Sequence, residues 1–120
     1  ARKWRKMVGG GMRQAGIIAA AGIIGINNHY AQISKDHKNA KLLCEGLKKF
    51  KEITVEEVQT NLVFFSINTE NPGLLAEKLK AKDVLGGNGG SRWRFATHYG
   101  IEEQDIKDTL NIFEQSIKEL

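Results

Sequence analysis

Two stretches of the sequence combine residue types that could bind an anion, and the first is a glycine triplet close to an arginine. Residues 9–11 are all glycine, Arg13 follows, and residues 15–26 contain no charged or strongly polar side chain. Glycine lets backbone N–H groups approach a ligand closely. A helix that follows the loop would point its free N–H groups back at the loop. The guanidinium of an arginine is suited to binding phosphate or carboxylate. A flexible loop leading into a buried helix explains the triplet equally well, because it matches neither the Walker nor the dinucleotide-binding pattern.

The second stretch is a predicted β-strand over residues 91–98, in which basic side chains alternate with apolar ones. Successive side chains of a strand point to opposite faces. One face therefore carries Arg92, Arg94, Ala96 and His98, and the other, the natural core face, carries Trp93, Phe95 and Thr97. Two guanidiniums and an imidazole then share a surface next to a loose glycine-rich turn at residues 86–90. The same pattern is also consistent with a solvated basic edge.

The remaining candidate ligands are better explained as core residues. His37 lies on the apolar stripe of a predicted helix, and no histidine or carboxylate follows four residues later to form a metal pair with it. No metal site is therefore predicted. Cys44 is the single cysteine and lies in a helical pattern, which favours a buried spectator over a nucleophile. A lone cysteine excludes an internal disulfide, which fits a reducing, cytoplasmic environment.

The positive charge of the chain is concentrated at its start. The 120 residues have a formal net charge of +4, but residues 1–13 carry five basic and no acidic side chains, and the remainder carries 13 basic and 14 acidic ones. A basic arm containing Trp4 could contact a nucleic acid, but no further basic face or aromatic platform supports that interpretation. The longest apolar run is twelve residues, too short to cross a bilayer, and no signal peptide is recognised. We therefore predict neither a nucleic-acid nor a membrane partner.

Hydrophobic periodicity predicts an α+β fold, with a small, mainly antiparallel sheet and helices packed on one face. The predicted helices cover residues 2–8, 12–26, 30–50 and 102–119, and a further helix starts at Asn71-Pro72 with Leu74, Leu75 and Leu79 on its buried side. The predicted strands cover residues 53–56, 61–67, 83–85 and 91–98. The length is enough for one domain but small for a complete metabolic enzyme.

The predicted helix over residues 12–26 is apolar on all sides, which requires burial on all sides. The 120 residues could hardly cover it, so we expect further chain or a partner. We divide the chain into residues 1–27, a glycine loop and buried helix linking to a larger domain, and residues 28–120, a small C-terminal domain.

Four segments together resemble one known family. Residues 2–22 resemble the middle of a low-specificity L-threonine aldolase, and three later segments agree in the right order: Asp36–Ala40, Thr60–Phe65 and Arg94–His98. The resemblance covers essentially the whole sequence, but roughly the C-terminal third of the family's chain. That family depends on pyridoxal 5'-phosphate and has the aspartate-aminotransferase type of fold, fold type I. The resemblance implies that this chain holds its C-terminal domain.

The resemblance also implies roles for two arginines. Arg94 matches the arginine that binds the substrate's α-carboxylate, and Arg13 matches the arginine that reaches the cofactor phosphate of a neighbouring subunit. The family's Schiff-base lysine lies upstream of the glycine triplet, so no catalytic residue is expected within this chain. Phe95-Ala96 and Gly100 depart from the family's pattern, but neither departure touches the two arginines. The glycine-rich residues 86–90 also depart from the usual family loop, so the resemblance does not define the geometry of that loop.

The implied function is that of a carbon–carbon lyase that cleaves L-threonine or L-allo-threonine to glycine and an aldehyde. In such an enzyme the cofactor acts as the electron sink for the glycine carbanion. The implied partners are the amino-acid substrate, an N-terminal large domain outside these residues, and further copies of the chain in a homotetramer built as a dimer of dimers.

Two alternatives stay open. Another pyridoxal-phosphate-dependent fold type I lyase or an aminotransferase-like enzyme would keep the fold and change the reaction. A free-standing α+β interaction module could instead use the basic N-terminal arm. The Arg94 segment and the apolar helix speak against that module, because only a larger assembly explains the helix.

Overall fold

In the computed structural model, residues 1–87 and 90–120 are described. They divide into two compact units, residues 1–31 and residues 32–120. None of the helices in this part of the chain has the length and apolarity that a membrane crossing needs.

The first unit is helical, and its apolar side chains are exposed. It consists of α1 (Arg2–Met7), α2 (Gly16–Ile24) and a π-helical turn (Gly25–His29). None of these elements contains a buried residue, and Ile17 is 77% exposed. The predicted apolar helix is confirmed, but its predicted start at residue 12 is wrong. Gln14 has a φ of 49°, a left-handed value that a right-handed helix does not admit, so α2 begins after it.

The second unit is an α+β layer built on a three-stranded sheet. Its helices are α3 (Gln32–Leu47), α4 (Pro72–Lys80) and α5 (Glu103–Lys118), and its strands are β1 (Ile53–Val55), β2 (Leu62–Ile67) and β3 (Arg92–Ala96). The strands pair antiparallel in the order β1-β2-β3. Apolar side chains from all three helices pack with one face of the sheet in a single core. The predicted fold class, an antiparallel sheet with helices on one face, is confirmed.

Aromatic side chains occupy the centre of this core. The ring of Phe65 meets the rings of Trp93 and Phe113 edge-on, at centroid distances of 5.9 Å and 6.1 Å. Trp93 lies opposite Phe65 in the sheet and is 2% exposed. The alternation predicted for β3 is confirmed, since Trp93 is buried and Phe95 packs against the core, whereas Arg92 and Arg94 are exposed.

The strand predicted at residues 83–85 is wrong, because these residues continue the end of α4. The backbone N–H of Val84 donates to the carbonyl of Leu79 at 3.0 Å. Asp83 is left-handed, with a φ of 62°. Helices commonly end with a left-handed residue, and the backbone N–H of the next residue then donates to a carbonyl in the last helical turn. The donor that a strand would use for pairing is therefore taken by the helix.

Helix α3 is shorter than the predicted 30–50, and only part of its predicted stripe is buried. Ala40, Cys44 and Leu47 are buried, whereas Tyr30 and Ile33 are exposed. The prediction that Cys44 is a buried spectator agrees with its 4% exposure, and its thiol is free. On α4, Leu75 and Leu79 are buried as predicted, but Leu74 is 37% exposed.

Hydrogen bonds at Thr97 tie the end of β3 to the rest of the second unit. The buried Thr97 hydroxyl donates to the carbonyl of Asp36, in α3, at 2.6 Å. The Thr97 backbone N–H donates to the carbonyl of Asn61 at 2.9 Å, and the Asn61 side-chain amide donates back to the Thr97 carbonyl at 2.7 Å. These contacts hold the residues that follow Arg94 against α3 and against Asn61, the residue before β2.

Replacing Thr97 with valine should destabilise the chain by about 1–3 kcal/mol, because the shape is kept while a buried hydrogen bond is lost. Urea unfolding of the two proteins measures the difference. Thr69→Val is the matched control, since the Thr69 hydroxyl is buried and has no hydrogen-bond partner among the residues that the structure describes. That variant should be neutral or slightly more stable, and equal losses in both variants would contradict the account.

Candidate functional site

The polar site lies on the face of the sheet that points away from the core. Register places Phe64 of β2 opposite Arg94 of β3, and Ser66 opposite Arg92. Glu56 follows β1 and lies beside Phe64, because its backbone N–H donates to the Phe64 carbonyl at 2.9 Å. This open face therefore carries two guanidiniums, one carboxylate and one aromatic ring.

Arg92 is fully engaged on this face. Its Nε and Nη2 donate to the two carboxylate oxygens of Glu56 at 2.8 Å and 3.2 Å. Its guanidinium carbon lies 4.9 Å from the centroid of the Phe64 ring, in a cation–π contact. The hydrogen bonds from Arg92 lower the pKa of the Glu56 carboxyl below its ordinary value. Arg92 is therefore neutralised by Glu56 and held flat on Phe64.

Arg94 is the available cation. Its side chain is exposed, and it makes no hydrogen bond or ion pair with another residue in the described part of the chain. It borders a cavity of about 370 Å³, whose other lining residues are Phe64, Gly87, Arg92 and Trp93. No carboxylate is among these residues, so the cavity presents positive charge over an aromatic floor.

A second cavity, of about 560 Å³, also borders Arg94, between β3 and α5. Three carboxylates line it, those of Asp83, Asp105 and Asp108. Lys82 also lines this cavity, but its ammonium is paired with Glu119. An anion bound there would therefore be repelled by the three carboxylates. The smaller cavity is therefore the better place for a carboxylate that pairs with Arg94.

Gly87 forms part of the wall of the smaller cavity and has to be a glycine. Its φ is 76°, and a Cβ at this position would lie 2.7 Å from ring carbons of the buried Trp93. The predicted glycine-rich turn also includes residues 88 and 89, which lie outside the described part of the chain.

His98 does not join the two arginines at the smaller cavity. Strand β3 ends at Ala96, and the exposed His98 ring lies in the following turn, with its Nδ1 at 2.8 Å from the carbonyl oxygen of Tyr99. His98 lines the larger cavity. The expected shared surface of Arg92, Arg94 and His98 is therefore limited to the two arginines at the smaller cavity.

In the first unit, the glycine triplet ends helix α1. The N–H groups of Gly9 and Gly10 donate to the carbonyls of Lys6 and Arg5 at 3.3 Å and 2.7 Å. These two N–H groups are therefore used by the helix, contrary to the expectation that the triplet offers them to a ligand. Arg13 is exposed and makes no hydrogen bond or ion pair within the described residues. Its guanidinium is free to bind an anion.

Glu56 is the residue of the site that sequence reasoning missed. It was expected only as the last residue of a short strand. Its partner Arg92 lies 36 positions away in the sequence. Only the pairing of all three strands brings the two together, and no local pattern contains that information.

The chain belongs to the beta-eliminating lyase family, whose sequence model matches residues 1–70. This family is dependent on pyridoxal phosphate. The chain is similar to the low-specificity L-threonine aldolase of Escherichia coli K12, with 38% identity over 106 residues, 88% of this chain and 31% of that enzyme. It is similar to low-specificity L-threonine aldolase 1 of Arabidopsis thaliana, with 36% identity over 125 residues, 98% of this chain and 34% of that enzyme. The chain thus spans about a third of the length of these relatives.

The Glu56–Arg92 pair should contribute to the acid sensitivity of the fold. A carboxylate whose pKa is lower in the folded protein stabilises the fold above its unfolded pKa, about 4.3, and this stabilisation is lost as the pH falls through the folded pKa. The wild-type chain should therefore have a higher urea midpoint than Glu56→Gln at about pH 7, and the difference should disappear towards about pH 3.

The matched control is Glu57→Gln, since Glu57 is exposed and forms no ion pair with the other described residues. Its midpoint should differ little from the wild type at either pH. A Glu56→Gln difference that persists unchanged at low pH would contradict the assignment.

Proposed function

We propose that this chain is the C-terminal part of a pyridoxal-phosphate-dependent aldolase that cleaves L-threonine or L-allo-threonine to glycine and an aldehyde. The observation that carries the proposal is the guanidinium of Arg94, which has no partner among the described residues and borders a cavity whose described lining residues include no carboxylate. Arg94 occupies the position that matches the carboxylate-binding arginine of the resembling family. The relatives named as threonine aldolases support the choice of reaction.

Arg94 would bind the α-carboxylate of the amino acid. A guanidinium can donate two parallel hydrogen bonds to a carboxylate, which fixes both the position and the orientation of the substrate. The strand beneath it is held in place, because Trp93 is buried and Thr97 is hydrogen-bonded to Asp36 of α3 and to Asn61, just before β2. A carboxylate fixed in this way would hold the amino acid in a single orientation while its carbon–carbon bond is cleaved.

Arg13 would bind the cofactor phosphate, in a site shared with a neighbouring subunit. Its exposed guanidinium has the chemistry for this group, since phosphate is a dianion with several acceptor oxygens. When bound, pyridoxal phosphate supplies the electron sink that takes up the electron pair of the cleaved carbon–carbon bond. The lysine that carries the cofactor would lie outside this chain, as the family resemblance implies.

The assembly around this chain is also part of the proposal. The exposed apolar helix α2 would be covered by the large domain or by another subunit, in a homotetramer built as a dimer of dimers. A free buried thiol at Cys44 is consistent with a reducing, cytoplasmic location.

Another pyridoxal-phosphate enzyme of the same fold would use the same carboxylate anchor. Release of glycine and acetaldehyde from L-threonine by the full-length protein distinguishes the aldolase from that alternative, and a transamination or elimination product would overturn it.

Arg94→Lys in the full-length enzyme should lose substrate affinity and rate together, by about 2–4 kcal/mol in kcat/KM. Lysine keeps the charge but gives up the planar pair of donors. Steady-state kinetics with L-threonine measures the loss, and the cofactor content, read from its absorbance, should stay normal. Arg92→Lys should lose less. If Arg92→Lys were the more damaging change, the assignment of the two positions would be wrong.

Arg13→Ala should weaken cofactor retention, because a charged hydrogen bond to phosphate contributes about 1.5–3 kcal/mol. Dialysis followed by measurement of bound cofactor reports this, and the loss should increase as the oligomer dissociates on dilution. Arg5→Ala is the matched control, since it removes a positive charge from the neighbouring helix α1. Equal cofactor retention in Arg13→Ala and Arg5→Ala would remove Arg13 from the phosphate site.

A further inference from the structure

The cavity beside Arg94 contains two guanidiniums, and only one of them is neutralised. Arg92 and Arg94 both line it. Alternate residues of a strand lie about 6.6 Å apart and point to the same side, so the two flexible side chains can converge on a small ligand. Two free guanidiniums at this spacing would suit a dicarboxylate. One free guanidinium suits a monocarboxylate.

Glu56 decides between these two cases. It lies beside Phe64, whereas Arg92 is opposite Ser66. Arg92 must therefore cross the sheet diagonally over the Phe64 ring to reach Glu56, which agrees with its position 4.9 Å from the ring centroid. Two hydrogen bonds, at 2.8 Å and 3.2 Å, hold it there. The guanidinium next to the cavity thus already has its carboxylate.

We propose that the Glu56–Arg92 ion pair restricts the Arg94 site to amino acids that carry one carboxylate, and that it excludes β-hydroxy-α-amino acids with an acidic side chain. The proposal rests on the proposed function, in which Arg94 binds the α-carboxylate. A second carboxylate would have to displace Glu56 from Arg92, and the displaced Glu56 would repel it. A neutral side chain meets no such penalty and lies against Phe64. Glu56 acts through Arg92 and is therefore a specificity-determining positioning residue.

The test uses the full-length holoenzyme and two simple probes, propionate as the monocarboxylate and succinate as the dicarboxylate. Their inhibition constants against L-threonine cleavage and their dissociation constants by calorimetry both give a succinate-to-propionate ratio. In Glu56→Gln, Arg92 is released, and the ratio should fall by about tenfold, the effect of one additional charged hydrogen bond. The double variant Glu56→Gln/Arg92→Leu should return to the wild-type ratio. Glu57→Gln, which neutralises an exposed carboxylate next in the chain, is the matched control and should leave the ratio unchanged.

A single variant, Arg92→Leu, gives an independent reading in the opposite direction. It leaves Glu56 without its partner beside the cavity, so succinate should bind worse and the ratio should rise. If the ion pair had a purely structural role, propionate and succinate would both bind more weakly in Glu56→Gln and in Arg92→Leu. The succinate-to-propionate ratio would then stay unchanged in both variants.

These experiments distinguish a failure of the charge-selectivity proposal from a failure of the proposed aldolase function. An unchanged ratio in Glu56→Gln, or a lowered ratio that persists in the double variant, overturns the inference while leaving the aldolase activity in place. A wild-type protein that does not cleave L-threonine overturns the proposed function, and the calorimetric ratios then decide the charge selectivity of the cavity by themselves.

Discussion

The burial of Trp93 against Phe65 and Phe113 is the constraint on which the site depends. Side chains alternate along a strand, so a one-residue slip of β3 would exchange its two faces. Such a slip would expose Trp93 and place Arg94 in the core. Burying a large apolar side chain stabilises the fold by about 1.5–3 kcal/mol, and an unpaired buried charge costs several kcal/mol more. The aromatic core therefore fixes both arginines on the open face of the sheet.

On that open face, the two arginines have different surroundings although they differ by only two positions. Arg92 has a carboxylate partner and an aromatic ring, so its charge is balanced within the second unit. Arg94 has a cavity without a carboxylate on one side and three aspartates around the other. Register places Glu56 in the row of Phe64 and Arg94, but the Arg92 side chain crosses the Phe64 ring and binds the Glu56 carboxylate. The same sheet thus provides one neutralised cation and one available cation.

Hydrophobic periodicity in the sequence correctly predicted several of the side chains of the helices and strands that are buried. The alternation over residues 91–98 gave the correct faces of β3, and helical spacing gave the burial of Cys44 and Leu79. The strand predicted at residues 83–85 is wrong because the backbone N–H of Val84 bonds to the last turn of α4. The predicted start of α2 is wrong because Gln14 has a left-handed backbone conformation. The pairing of Glu56 with Arg92 joins the residue that follows β1 to β3, and these two strands are not neighbours in the sheet. It depends on the assembly of all three strands and on the path of the Arg92 side chain across Phe64, which no local pattern in the sequence fixes. The roles of Arg13 and Arg94 came from family resemblance and stay predictions.

The central claim, that β3 presents Arg94 as the carboxylate anchor, is tested most directly by a crystal structure of the full-length protein with glycine bound. The account predicts two nitrogen–oxygen distances of about 2.7–3.2 Å between the Arg94 guanidinium and the glycine carboxylate, with Arg92 still bonded to Glu56. A carboxylate held by Arg92, or by residues outside β3 while Arg94 points into solvent, would contradict it.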